Sequence, residues 1–281
     1  MKKIIIFAAA LAAMTACNKS VFETAAPSEG FGYINLGISA DAEMVVTKTA
    51  TTPADINTYN VRLLDNNSSP VWKTENGANT DGWMEYSEAI ANTKLWQVAA
   101  GTYTVEVENL TVTEAYANTD NNDNPNGKLR LAGSSGDVTV KAGQKTPCTV
   151  NCTAANSKVT FTTDNNFGNV FTTSATSLTV TMGNRTVSYT LLGTDHEAAT
   201  PAFFEAGEVT WTLNTKVGET TKKYTSKTPL KLVAGQWTKV TFSSSTTDGQ
   251  ITLTITVDER MTTENVTAEI NPLETTTNTP A

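Results

Sequence analysis

The sequence predicts an all-β protein: two tandem antiparallel β-sandwiches behind a short N-terminal leader. Three observations predict it. Apolar residues recur at every second position through most of the chain. Threonine and asparagine are plentiful while helix-favouring runs are scarce, and threonine's branched side chain suits a pleated, half-exposed surface. The alternating stretches are many, short and closely spaced, which is the spacing of a β-sandwich.

The leader comes first. Met1, Lys2 and Lys3 precede Ile4 to Phe7 and an alanine-rich run to Ala13. A basic start and an apolar stretch of this length read as a signal peptide, too short for the roughly 20 residues of a membrane-spanning helix. Met14, Thr15 and Ala16 then lead into Cys17, an order that resembles a bacterial lipobox, with Met14 where Leu is usual. The resemblance implies a diacylglycerol thioether on Cys17 and signal-peptidase cleavage just before it. Two or three acyl chains hold a membrane far more firmly than one. The expected layout is a signal peptide over 1–16 and a lipidated tether over 17–29.

About 265 residues remain, enough for two ordinary domains. Loss of Lys2 and Lys3 moves the formal charge from -8 to about -10. Binding to nucleic acid or anionic headgroups rests on Lys and Arg, so this chain suits neither.

Alternation begins at Tyr33, with Ile34, Leu36 and Ile38 on one face. Tyr59, Val61 and Leu63 repeat it, with Arg62 opposed. "TYTVEVE" puts Tyr103, Val105 and Val107 inward and Glu106 and Glu108 outward, and "DVTV" (137 to 140) and "TVNCT" follow. The second half repeats the habit through Val159 and Phe161, then Leu178 to Met182, Val187 to Leu191, and Val209 to Leu213. In "ITLTITV", Ile251, Leu253, Ile255 and Val257 oppose three threonines. "NNFGNVF" suggests one short helical turn. "QVAAGTYTVEV", "TVKAGQKTPCTV" and "KLVAGQWTKVTF" each run strand, Ala-Gly, strand, so Gly101, Gly143 and Gly235 read as hairpin-turn glycines. The expected domains are 30–154 and 155–272, joined near "AANSK", with a disordered tail over 273–281.

The wording and order of these segments resemble a known group. "GYINLGIS", "YNVRLLD", "VAAGTYTVEVEN", "TVKAGQKTPCTVNCTAANSKVTFTTDNNF" and "ITLTITVDE" follow the lipobox as they do in the Bacteroidetes lipoprotein family called domain of unknown function 4493. That family is distantly similar to fimbrillin-like lipoproteins. The resemblance implies transthyretin-like or immunoglobulin-like sandwiches on an outer-membrane lipid anchor, and no catalytic residue. Fimbrillin subunits lose a first strand by cleavage after an arginine. Here the first arginine, Arg62, lies inside a predicted strand, so an anchor, an accessory subunit or a stand-alone surface protein fits better than a polymerising subunit.

The candidate sites are few. Hydrolytic triads need a base, usually His, and His196 in "GTDHEAAT" lies in no recognisable motif. The expectation is no enzyme and no cofactor beyond the covalent lipid. Asp120, Asn122, Asn124 and Asn126 alternate as in a calcium loop, but Pro125 takes the glycine's place and Leu131 the bidentate acid's. The segment reads as a polar hairpin loop, with no metal expected. Cys148 and Cys152, four apart on a strand, lie about 13 Å apart, beyond the roughly 7 Å a disulfide spans. They read as small buried hydrophobes. Trp211 alternates with core residues, Trp237 is undecided, and Trp72 and Trp83, flanking "KTENGANTDG", are the candidates for glycan stacking. The functional expectation is therefore a non-enzymatic, lipid-anchored envelope protein with an adhesin-like or fimbrial accessory role. Its partners would be the outer membrane, fimbrial or surface proteins, or a glycan, with the cell surface favoured over the periplasmic face. The alternatives are a glycan-binding lipoprotein of polysaccharide uptake and a periplasm-facing structural lipoprotein.

Overall fold

The computed structural model describes residues 27–40, 55–116, 126–191, 193–196, 198–247, 250–257 and 266–268. The expected leader with Met14, Thr15, Ala16 and Cys17, the first part of the expected tether, and the expected tail lie outside the described residues.

Two β-sandwiches follow one another. The first contains β1 (Phe31–Ala40), β2 (Asn60–Asp65), β3 (Met84–Glu85), α1 (Tyr86–Ala91), β4 (Gln97–Ala99), β5 (Gly101–Glu108), α2 (Val112–Tyr116), β6 (Leu131–Val140) and β7 (Lys145–Ala154). Its strands connect in the order β3-β2-β5-β6-β7-β1-β4. β6 and β7 are paired only at Leu131↔Ala154 and Ala132↔Thr153. Beyond that contact β6 continues against β5 and β7 against β1, so the path folds into two layers. Val61, Leu63, Val105 and Val107 from one layer share a buried core with Ile34, Leu36, Val150 and Cys152 from the other.

The second sandwich contains β8 (Ser157–Thr163), β9 (Ser177–Met182), β10 (Arg185–Thr190), β11 (Ala202–Phe204), β12 (Gly207–Val217), β13 (Thr220–Thr225), β14 (Leu230–Leu232), β15 (Trp237–Thr247), β16 (Gln250–Val257) and β17 (Val266–Ala268). One sheet runs β10-β9-β12-β13, with β14 also on β12, and the other β11-β8-β15-β16-β17. Phe161, Leu178, Trp211, Phe242 and Leu253 meet in the core between them. The alternating threonines take the outward positions: Thr254 and Thr256 of β16 are exposed while Leu253 and Ile255 are buried.

Two departures from the sequence reading concern neighbours, which alternation does not specify. The sheets are not wholly antiparallel: β1 runs parallel to β7 and β8 parallel to β15. The hairpin reading of Gly101, Gly143 and Gly235 is also corrected. Val140, before the Gly143 turn, pairs with Gly101, whereas Lys145, after it, pairs with Tyr33. β14 and β15 likewise join different sheets across Gly235, and β4 and β5 have different partners across Gly101. These turns are corners at which the chain changes layer.

The "AGQ" corners are built alike. Gly143 and Gly235 both sit at φ 74°, the left-handed region that glycine enters freely. The Gly143 N–H donates to Phe31 O at 2.7 Å and Gln144 O accepts from Tyr33 N at 2.8 Å. In the second domain the Gly235 N–H donates to Asn156 O at 2.9 Å and Gln236 O accepts from Lys158 N at 3.0 Å. Each corner thereby locks the start of its domain's first strand and launches the strand that runs parallel to it. Gly101 has no such conformation, because its φ is not positive.

Candidate binding surface

The tryptophans separate into core and surface. Trp72 is only 2% exposed. Its Nε1 donates to Leu95 O at 2.9 Å, and its ring meets Trp96 edge-on with centroids 4.9 Å apart. The glycan-stacking role of Trp72 is therefore withdrawn: an aromatic ring whose N–H finds a carbonyl inside the core is a packing residue. The short helix α1 and the turn after it, absent from the sequence reading, bring Leu95 and Trp96 onto this ring. Trp211 and Trp237 are buried as well.

Trp83 is different. It is half-buried, and the Arg62 guanidinium carbon stands 4.5 Å from its ring centroid. Arg62 donates through Nε to Glu106 Oε2 at 2.7 Å, with Nη2 at 2.6 Å from the same oxygen, and through Nη1 to Asp81 O at 3.4 Å. Arg62 and Glu106 face one another across the β2–β5 ladder. A planar cation fixed by a carboxylate lies over an indole, an arrangement that attracts through the ring quadrupole. The signal for Arg62 was present in "YNVRLLD", where it alternates against Val61 and Leu63. Its meeting with Trp83 depends on a loop path that no periodicity encodes.

Glu108 departs from the outward position expected of it. It is 4% exposed and pairs with Arg130 Nη2 at 2.9 Å. Arg130 also donates through Nε to Leu110 O at 3.1 Å. Burial pushes the Glu108 carboxyl above its ordinary range, against the opposing pull of Arg130.

His196 rests on the outer side of β8 and β15. Its Nδ1 is 3.0 Å from Thr160 Oγ1, and its Nε2 is 2.9 Å from Thr162 Oγ1 and 2.8 Å from Thr241 Oγ1. Three hydroxyls thus tether the loop to the sheet through this ring. Cys148 and Cys152 are free, buried and on the core face of β7. Burial raises both thiols, Cys152 to about 11, which keeps it protonated and unreactive at neutral pH. Among the described residues no group of three or more His, Cys, Asp or Glu could hold a metal ion. Of the calcium-loop residues only Asn126 is described, and it is buried. Among the described residues no helix is long and apolar enough to cross a membrane.

Over residues 30–272 the sequence matches the family described as Domain of unknown function (DUF4493). The chain belongs to this family. Comparison with curated proteins finds no match. Among solved structures, a fimbrial assembly protein from Parabacteroides distasonis is similar at 14% identity and a TM-score of 0.41, over 83% of this chain and 96% of that one. The fimbrial anchor protein Mfa2 from Porphyromonas gingivalis is similar at 12% identity and a TM-score of 0.39, over 80% of this chain and 97% of its own. A candidate cell adhesion protein from Bacteroides eggerthii shares 11% identity at a TM-score of 0.43, over 84% of this chain and 97% of that one.

Proposed function

We propose that this family member is a non-enzymatic lipoprotein of the outer membrane that serves in surface binding or assembly, in an adhesin-like or fimbrial accessory or anchor role. The observation that carries the reading is the position of the lipobox. Cys17 stands shortly before the first strand, which begins at Phe31, so the whole folded mass hangs from one acylated end. Partner contact would use loops or strand edges, as peptide-adding sheets do. Among the described residues, β10 has β9 as its one strand neighbour and β13 has β12. β13 carries Lys222 and Lys223, the kind of charge that discourages edge pairing, so β10 is the better candidate edge. The anchor is tested by expressing the chain and Cys17→Ser with labelled palmitate. The native chain incorporates label and fractionates with outer membranes. Cys17→Ser incorporates none and is released. Equal labelling of the two would remove the anchor from the account.

Glycan capture is the second reading, and it rests on Trp83, half-buried and braced by Arg62. Trp83→Ala would abolish retention on a polysaccharide column while the unfolding midpoint stays close to native. Unchanged retention on a glycan that the native chain binds would end this reading.

A further inference from the structure

The two sandwiches meet along three seams drawn from separate stretches of sequence. The first is made by the connection between β5 and β6. Asn126 O accepts from the N–H of Phe203, the middle residue of edge strand β11, at 2.7 Å. Tyr116, the last residue of α2, donates from its hydroxyl to Glu205 Oε1 at 2.8 Å. Between these contacts lies Arg185, its guanidinium carbon 4.6 Å from the Tyr116 ring and 4.5 Å from the Phe204 ring, with Nη1 donating to Phe203 O. Burial raises the Tyr116 phenol, and the Glu205 carboxylate that takes its hydrogen bond adds to the effect.

Gly127 makes the close approach possible. It lies at φ 82°, and a Cβ there would stand 2.9 Å from Arg185 Nη2, 3.0 Å from Ala115 O and 3.1 Å from Phe203 O. Both the backbone conformation and the space call for glycine.

The second seam is Asn156, between β7 and β8 and fully buried. Its Nδ2 donates to Lys128 O at 2.8 Å, and its Oδ1 accepts from Arg130 N at 3.1 Å. The third is Trp237, which begins β15 in the second sandwich yet packs in the core cluster of the first. Its Nε1 donates to Thr160 Oγ1 at 3.0 Å. Domains in one chain move relative to one another by default unless their interface is extensive. Here Asn126, Asn156 and Trp237 are buried, Tyr116, Arg185 and Glu205 are half-buried, and a hydrogen-bonded network of this kind specifies a single arrangement.

We propose that α2 and residues 126–130 form a clamp on β11 that makes the two sandwiches a single cooperative unit. The clamp also covers β11, the outer strand of its sheet, so partners must dock elsewhere. The test is urea unfolding of the full mature chain followed by domain-resolved hydrogen exchange, reading β7 for the first core and β12 for the second. The native chain loses protection in both at one urea concentration. Gly127→Val separates the two midpoints by at least about 0.5 M, a shift in keeping with the usual denaturant dependence. If Gly127→Val does not fold, the paired change Tyr116→Phe with Glu205→Gln gives a separation of the same sign. Two midpoints in the native chain, or one shared midpoint in the variant that folds, would overturn the proposal.

Discussion

At the scale of residues, the two tryptophans flanking one loop have opposite fates. Trp72→Ala removes a buried ring and its hydrogen bond to Leu95 O, and should destabilise the chain by about 3–5 kcal/mol in urea unfolding. Trp83→Ala removes a half-buried ring and a partly exposed cation contact, and should shift stability by about 1 kcal/mol or less. Glu108 supplies a pH signature. Its carboxyl titrates above its ordinary value of 4.5 in the folded state, chiefly through burial. A folded value above the unfolded one gives stability that is full below the unfolded value and lost as pH rises through the folded one. The native chain should therefore gain stability relative to Glu108→Gln as pH is lowered from neutral to below 4.5, measured by paired unfolding curves. A constant difference across that range would contradict the burial argument. Glu108 was not legible in the sequence, because "VEVE" looks like ordinary alternation and its partner Arg130 lies in the connection just before β6.

At the scale of elements, inside and outside were legible while neighbours were not. Period-two alternation placed Ile34, Val61, Val105, Leu178, Trp211 and Leu253 in the core, because a pleated strand presents alternate residues to one face. The same pattern is silent on which strands pair, so the parallel β1–β7 and β8–β15 contacts were invisible. The repeated Ala-Gly was legible as a recurring device and misread as a hairpin, because a tight turn leaves the same local trace whether or not its flanking strands pair. The corners make a graded prediction. Gly143→Ala forces a side chain into a left-handed conformation with open space around it, and should cost about 1–2 kcal/mol. Gly101→Ala meets only Tyr103 side-chain atoms, at 3.5 Å and beyond, from ordinary backbone, and should be nearly neutral. Equal losses in thermal or urea unfolding would show that the corner conformation is not what selects glycine.

At the scale of the whole molecule, the sequence displays the two alternating halves and the family. It does not display the seams between the halves, which join residues as distant as Tyr116 and Glu205 or Asn126 and Phe203. The proposed clamp, on the proposed lipid anchor, suits a part that must hold its shape between a membrane and a partner. The proposed surface binding or assembly from an acylated anchor requires the sandwiches to face outward. Protease shaving of intact cells, with a known periplasmic protein as control, tests this most directly. Outward-facing sandwiches would be lost from the cells while the control survives. Protection of the chain until the outer membrane is opened would contradict the proposal and leave a periplasm-facing structural role.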